Sequence, residues 1–504
     1  MSEEDDRVTK EVAARNEVEE EGKLKNKQRM LKDGEINLKN KFLYCLMINH
    51  FCFDEINSGI AGIGLTIMIP LHVQELRLAD DEIGRFSFLF VSLLLLGELA
   101  TGLLISCVNS LAKPSYFRLL LRMVLAAGFL ASTLNNTLLL LTCRTVIGLC
   151  IGYLKPVNMS EAYKCASPSR KGMIGACSSA YITIGITLGT IVCSFPNNGV
   201  FEWRVVYYAL GGLEALMIIL SIIYVGVDHS FSNDLKVNKL QAARKQLTRI
   251  YEDEIVDIMI QEEQEALELT KHSKGVWTPF KIYYRELFYG LLLAISSGLS
   301  FTHNYSGYTI VLTVRNVKDL DEAGLASIFI SIASGCELLV KILLVIYPKT
   351  VQYRKINLVL SSLALAFMWL ASSYFYYYDQ WFYLKPLVIL YFVNFSFIFT
   401  AYYSFLGDVL NEDIMGFTYS MTRIFDLASQ YLFTYVFPQE NAIEVYWIMA
   451  LMFAIVTFIC TLAYQLILFE SYGLTKLQIH QLIKRKWNKT PRKIVEKEAS
   501  FLEE

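Results

Sequence analysis

The 504-residue chain reads as an all-α, polytopic membrane protein, and three observations carry that reading. About 12 apolar runs alternate with polar connectors between Lys41 and Phe469, long enough to cross a hydrocarbon core as helices. A charged stretch from Asp228 to Lys274 interrupts them midway and splits the runs evenly. Composition agrees: 54% of residues are hydrophobic, with 31 Phe and 30 Tyr. Aromatic clusters such as Tyr374 to Tyr378 with Trp381 lie at run ends, where amphipathic rings favour the membrane interface. Two six-helix bundles facing each other across a central path follow as the expected architecture.

Taken in order, residues 1–40 are charged, free of aromatics and without the apolar core of a cleavable signal, so they read as a cytoplasmic tail. The N-terminal bundle, 41–226, holds spans near 41–72, 84–107, 116–134, 137–157, 173–195 and 204–226. The loop 227–284 places Leu240, Ala243, Leu247 and Ile250, then Ile255, Ile258 and Met259, at helical spacing among charges. Short amphipathic helices lying on the membrane face are expected there. The C-terminal bundle, 285–469, holds spans near 285–313, 323–347, 356–378, 385–407, 417–437 and 444–469, and 470–504 is a tail rich in Lys and Arg.

The connectors give an orientation. Lys113 with Arg118, Lys164 with Arg170 and Lys171, and Lys349 with Arg354 and Lys355 fall on the side of the central loop and the basic tail. Asp80 to Glu82, Asp319 to Glu322, and Glu440 with Glu444 fall on the other. The excess of Lys and Arg places both termini in the cytoplasm, whether the membrane is the plasma membrane or that of an organelle. Only the connector with Asp408, Glu412 and Asp413 runs against this rule.

Several functional classes are disfavoured. No basic patch is interleaved with aromatics outside the tail, so nucleic acid is not an expected partner. The 10 Cys lie mostly inside apolar runs without paired spacing, which argues against a disulfide framework or a metal site. No phosphate-cradling loop or nucleophile motif is present, so neither an enzyme nor a cofactor is expected.

Chemistry belongs where charges sit inside apolar spans, because each is costly there and needs a partner or a wet path. Asp54 lies near the middle of the first span and Arg144 early in the fourth. A carboxylate that pairs with a guanidinium in one conformation and leaves it in another changes its proton affinity, which couples protonation to movement. A fixed helix-to-helix ion pair accounts for the same residues equally well. Glu337 and Lys341, four apart, and Arg423 and Asp426, three apart, invite local pairing, while Glu98 and Glu214 have no local partner.

Several motifs then resemble the sugar porters of the major facilitator superfamily. They are Arg144-x3-Gly148-x3-Gly152, Pro156-Val157-Asn158-Met159-Ser160-Glu161, Arg170-Lys171-Gly172, Tyr181-Ile182-Thr183-Ile184-Gly185, Glu202-Trp203-Arg204, and Phe469-Glu470-Ser471-Tyr472-Gly473-Leu474-Thr475. The resemblance implies the major facilitator fold, alternating access, and a small polar solute, a carbohydrate above all, moved with a proton. It makes Asp54 and Arg144 the proton-coupling pair. It also assigns Glu161, Arg170, Asp408 and Glu470 to a cytoplasmic charge network that ties the bundles together.

The departures matter as much. The connector Ser106 to Lys113 lacks the family's acid and paired basic residues, and Val227 to Phe231 replaces its motif after the sixth span. The family's sugar-binding Gln residues align with Ser179 and with Gly298 to Thr302, so the amides that read a hexose are gone. What remains at those depths is Asn57, Ser179, Thr183, His303, Asn304, Tyr308, Tyr403 and Asp426, a set suited to a polyhydroxy solute or to one bearing an amine. A carrier fold that senses solute without net flux, or a facilitative carrier of a non-sugar solute, stands beside the symporter reading.

Overall fold

Apolar runs of this length satisfy their own backbone hydrogen bonds only as helices, and every element among the described residues is helical. The computed structural model describes residues 39–62, 64–107, 115–166, 171–197, 199–224, 234–235, 238–271, 278–299, 320–347, 352–378, 380–410, 412–431, 442–472, 474 and 476–488. The first half contains α1 (Lys41–Gly62), a 3-10 segment (Gly64–Met68), α2 (Ile69–Glu75), α3 (Asp80–Cys107), α4 (Ser115–Ala131), α5 (Thr137–Cys165), α6 (Lys171–Asn197) and α7 (Arg204–Tyr224). Three shorter segments follow, α8 (Leu240–Leu247), α9 (Asp253–Lys271) and α10 (Thr278–Ile282). The second half contains α11 (Tyr284–Leu299), α12 (Leu320–Ile346), α13 (Arg354–Tyr377), α14 (Trp381–Val409), α15 (Glu412–Tyr431) and α16 (Ala442–Ile467), and α17 (Lys476–Asn488) closes the described chain.

Eight stretches among the described residues are long and apolar enough to cross a membrane, four in each half. Two further helices are shorter or more polar: α4 is 17 residues long and carries Arg118 and Arg122, and α15 has a polar face that includes Arg423. They still belong to the bundles, since α4 packs on α5 and α7, and α15 packs on α3 and α11.

Glycine sets the closest helix crossings. Gly148 and Gly152, one turn apart on α5, let that backbone lie directly on Leu94 and Glu98 of α3, where any Cβ would overlap backbone atoms. Gly59 and Gly185 do the same for α1 against α6, facing the carbonyls of Ile182 and Ile56. At the helix ends, Asn136 caps α5 by accepting from the Leu139 amide at 3.0 Å.

Side-chain packing is uneven along the molecule. At the end that carries α8, α9 and α17, one apolar cluster draws on both halves, with Tyr44 and Tyr163 meeting Phe405, Leu406, Ile414 and Tyr464. The short helices insert Ala243, Leu247, Val256, Met259, Ile479 and Ile483 into that cluster, and the Tyr251 hydroxyl bonds the Cys165 carbonyl at 2.7 Å. Away from this loop end, each half keeps a core of its own: Phe90, Phe129, Ile147 and Tyr207 in the first, Trp369, Tyr391 and Phe453 in the second. Nine free cysteines among the described residues sit as unbridged side chains.

Adding side-chain volume at the α3–α5 crossing is costly. Gly148→Val is expected to destabilise by about 1–3 kcal/mol or more through overpacking. Gly335→Ala, where nothing lies within 4 Å, should melt like the parent protein. Thermal melting of the two variants in detergent checks this.

Candidate functional site

Adjacent helical residues point about 100° apart, so Asp54 and Glu55 on α1 serve different neighbours. Asp54 turns into the first bundle. Its Oδ2 meets Arg122 Nη2 of α4 at 2.9 Å and accepts a short hydrogen bond from the Asn158 amide of α5. The same guanidinium reaches Glu214 of α7 at 3.5 Å, and Glu214 in turn accepts from Asn57 Nδ2. Arg118 bonds Asn158 Oδ1 at 3.1 Å. Two fully buried carboxylates thus share Arg122, and protonating one of them leaves the carboxylate–guanidinium group neutral.

The expected pairing of Asp54 with Arg144 is not the one found. Arg144 donates to the carbonyls of Phe90 at 3.1 Å and Ala61 at 2.9 Å, and its guanidinium lies 3.8 Å from the centre of the Phe90 ring. Height along the helix explains this. Ala61 lies seven residues beyond Asp54, or about 10 Å at the α-helical rise. Carbonyls and an aromatic face serve Arg144 in place of an acid. Beside it, His72 of α2 bonds the Tyr207 hydroxyl at 3.1 Å.

Glu55 faces the seam between the bundles. Its Oε2 lies 2.9 Å from Lys155 Nζ of α5, and its Oε1 accepts from Ser178 of α6 at 3.0 Å. Lys155 also approaches Ser58 Oγ at 3.4 Å, and its ammonium lies 6.0 and 5.7 Å from the ring centres of Tyr403 on α14 and Tyr419 on α15. Sequence reasoning missed Lys155 and Arg122 as site residues. Both are cations inside apolar runs, the same signal that singled out Asp54.

Two further ion pairs lie on the flanking seams. Glu98 of α3 meets Arg423 of α15 at 2.7 Å, joining the two halves. Glu337 and Lys341 of α12 do pair locally, at 2.5 Å, and both also engage α6. Thr183 Oγ1 donates to Glu337 at 2.8 Å, while Lys341 donates to Thr183 Oγ1 at 2.7 Å and to the Ser179 carbonyl at 3.3 Å. Ser179 and Thr183, expected to bind solute, are therefore engaged in the α6–α12 seam, and Thr400 Oγ1 approaches Ser179 Oγ at 3.4 Å. Asn57 likewise faces Glu214 inside the first bundle, away from the seam.

At the loop end, Arg354 of α13 is the hub that sequence reading had treated only as an orienting charge. Its Nε meets Asp408 at 2.6 Å, and its amide and that of Lys355 donate to Glu470 at 2.7 and 3.3 Å. Half-burial pushes the Glu470 carboxyl up from its ordinary value, against the opposing pull of those amides and of Arg354. Asp408 and Glu470 therefore meet a residue of their own bundle. Arg354 then abuts Gly172 of α6, where a Cβ would collide with its guanidinium. Glu161 pairs with Lys164 on its own helix at 3.1 Å. The bundles also meet directly, Tyr163 donating to the Tyr403 carbonyl at 2.8 Å and Ser404 to the Gly172 carbonyl at 3.2 Å. Arg170, His303, Asn304 and Tyr308 lie outside the described residues, and Asp426 lies on α15 with its side chain outside them. No cluster of metal-ligating side chains occurs among the described residues.

Two helical bundles joined by buried charges along their seams, with eight stretches among the described residues apolar enough to cross a membrane, define a polytopic membrane protein fold. The family model described as Major Facilitator Superfamily matches residues 46–433, and the chain belongs to that superfamily. Among solved structures, it resembles the proton:xylose symporter XylE bound to 6-bromo-6-deoxy-D-glucose, with 14% identity, a TM-score of 0.70, and coverage of 88% of this chain and 100% of that one. It resembles the partially occluded inward-open xylose transporter XylE from E. coli at 13% identity and a TM-score of 0.62, covering 85% and 97%. The human organic anion transporter MFSD10 (TETRAN) aligns at 11% identity and a TM-score of 0.54, covering 84% and 99%. At these identities the likeness concerns the fold. No curated protein matches the sequence.

Removing one partner of the Glu98–Arg423 bridge leaves a buried charge alone. Arg423→Ala is expected to cost about 3–5 kcal/mol, whereas the apolar exchange of both residues costs far less. A double-mutant cycle on melting in detergent measures the difference.

Proposed function

We propose that the protein carries a small polar solute across a membrane by alternating access, coupled to a proton. The observation that carries the reading is Arg122 held between Asp54 and Glu214 at the centre of the first bundle, all three nearly or fully buried. With Asn57 and Asn158 supplying hydrogen bonds, a proton arriving on either acid releases Arg122 from one helix while leaving it on the other. α1 and α7 then shift relative to α4. Asp54 keeps its assigned part in proton coupling, with Arg122 and Glu214 as its companions.

The shared apolar cluster at the loop end, with Tyr163 bonded to the Tyr403 carbonyl and Arg354 resting against Gly172, supports reading the carrier as closed on that side. Read with the Lys and Arg excess of the connectors, this side is the cytoplasmic one, so the arrangement suits solute entering from the opposite face. Resemblance to sugar porters offers a sugar or polyol as the first solute to test. A sensor without net flux is the second reading, favoured by α9 and α17 packing together on the loop-end cluster, where a partner would read the state of the bundles.

Reconstituted vesicles under an inward-acid gradient test the proposal. Accumulation driven by the gradient is expected for the parent protein. Asp54→Asn and Glu214→Gln should lose accumulation by about tenfold or more while retaining solute exchange at equal pH, since coupling fails but the path remains. Binding without accumulation under any gradient favours the sensor, and unaltered accumulation by both variants removes the proton site.

A further inference from the structure

The geometry points to Glu55 and Lys155, with Tyr403 and Tyr419, as a recognition site for a zwitterionic solute, one bearing both an ammonium and a carboxylate group. The inference rests on the carrier reading above and narrows its solute. Lys155 comes from the first bundle and both tyrosines from the second, so the group straddles the seam that a carrier must open and close.

Its polar atoms are incompletely used. The ammonium has three protons and two oxygen partners, Glu55 at 2.9 Å and Ser58 at 3.4 Å. Glu55 Oε2 touches Lys155 without an aligned hydrogen bond, and the buried Tyr419 hydroxyl has no partner. Bracing is already provided on either flank by Glu98 with Arg423 and by Glu337 with Lys341 and Thr183.

Charge accounting selects the solute. Pulling Glu55 from Lys155 inside the molecule leaves two buried charges, each costly without a counter-charge. A polyol supplies neither charge, and an anion or a cation supplies one. A zwitterion supplies both: its carboxylate takes Lys155 and the free Tyr419 hydroxyl, and its ammonium takes Glu55 and the faces of Tyr403 and Tyr419. Every charge is paired before and after the exchange. The neighbouring Arg423 is held by Glu98 and adds no net charge.

The test measures melting shifts of the purified full-length protein and counterflow in vesicles, using L-alanine, L-leucine and L-phenylalanine. Their amides retain only the ammonium, propionate and phenylpropionate retain only the carboxylate, and D-glucose, D-xylose and sorbitol carry neither. Zwitterions alone should bind and exchange. Glu55→Gln and Lys155→Met should each weaken that binding about 30-fold or more, and Tyr419→Phe about tenfold. The double variant Glu55→Gln with Lys155→Met leaves no buried charge unpaired, so it is expected to fold and still to lose zwitterion binding. Binding of sugars or of singly charged analogues in place of zwitterions overturns the inference and leaves the carrier standing. Retained zwitterion binding in the double variant overturns it as well. Failure of every solute class to bind or exchange removes both the inference and the carrier reading.

Discussion

A charge buried among apolar helices must be met by an opposite charge, by carbonyls or by an aromatic face, and that requirement governs how this protein is assembled. Arg122 gathers α1 and α7 onto α4 through Asp54 and Glu214, and Asn158 adds α5 to the same group. Arg144 shows the other solution, anchoring α5 to α1 and α3 through two carbonyls and the Phe90 ring. Burial of each ion costs several kcal/mol, so these contacts specify which helices are neighbours more than they add stability. The glycine crossings permit what the charges demand. Side chains as short as those of Glu55 and Ser178 bridge α1 and α6 only because Gly59 and Gly185 bring the two backbones together.

The charges are also distributed by seam. α3 and α15 share Glu98–Arg423 on one flank, and α6 and α12 share Thr183, Glu337 and Lys341 on the other. Between these flanks lies the Glu55–Lys155 pair with its two tyrosines. Contacts at the loop end differ in kind. There the bundles meet through rings, backbone carbonyls and a guanidinium resting against Gly172, with the ion pairs of Arg354 kept inside one bundle. Opening the α3–α15 flank would strand both Glu98 and Arg423, whereas Glu337 and Lys341 stay paired on α12 when α6 moves away. The α3–α15 flank therefore suits an axis, and the loop end, where the described contacts between bundles run through rings and backbone carbonyls, suits a gate.

How much of this could be read beforehand follows from what periodicity encodes. The runs, the mid-chain break and the short helices with Ala243 and Leu247 are local patterns, and helical period alone reveals them. Asp54 stood out as an acid inside an apolar run, but its partner depends on relative helix height and rotation, which no local pattern carries. The Asp54–Arg144 pairing, drawn from their places in the first and fourth spans and from family resemblance, differs from the contact found by about two helical turns. Glu337 and Lys341 were legible as an i, i+4 pair, yet their hold on Thr183 belongs to a neighbouring helix. Arg423 shows the limit of local reading, since its contact with Glu98 joins it to a helix more than 300 positions earlier, which no local pattern announces. Arg354 illustrates a different failure, since a connector charge was counted for orientation and its burial against Asp408 went unread.

The juxtaposition of Asp54 and Glu55 ties the proposed proton and solute events to one element. Consecutive positions on α1 face opposite partners: Asp54 looks into the first bundle toward Arg122, and Glu55 looks into the seam toward Lys155. A helix is stiff over the single step between adjacent residues, so rotating α1 to relax one contact must disturb the other. Lys155 and Asn158, the α5 partners of these two acids, are also three residues apart on one helix. Two helices that touch at both sites form a closed mechanical loop. A proton on Asp54 and a solute on Glu55 then act on the same pair of helices, and coupling between them needs no path longer than one helical turn.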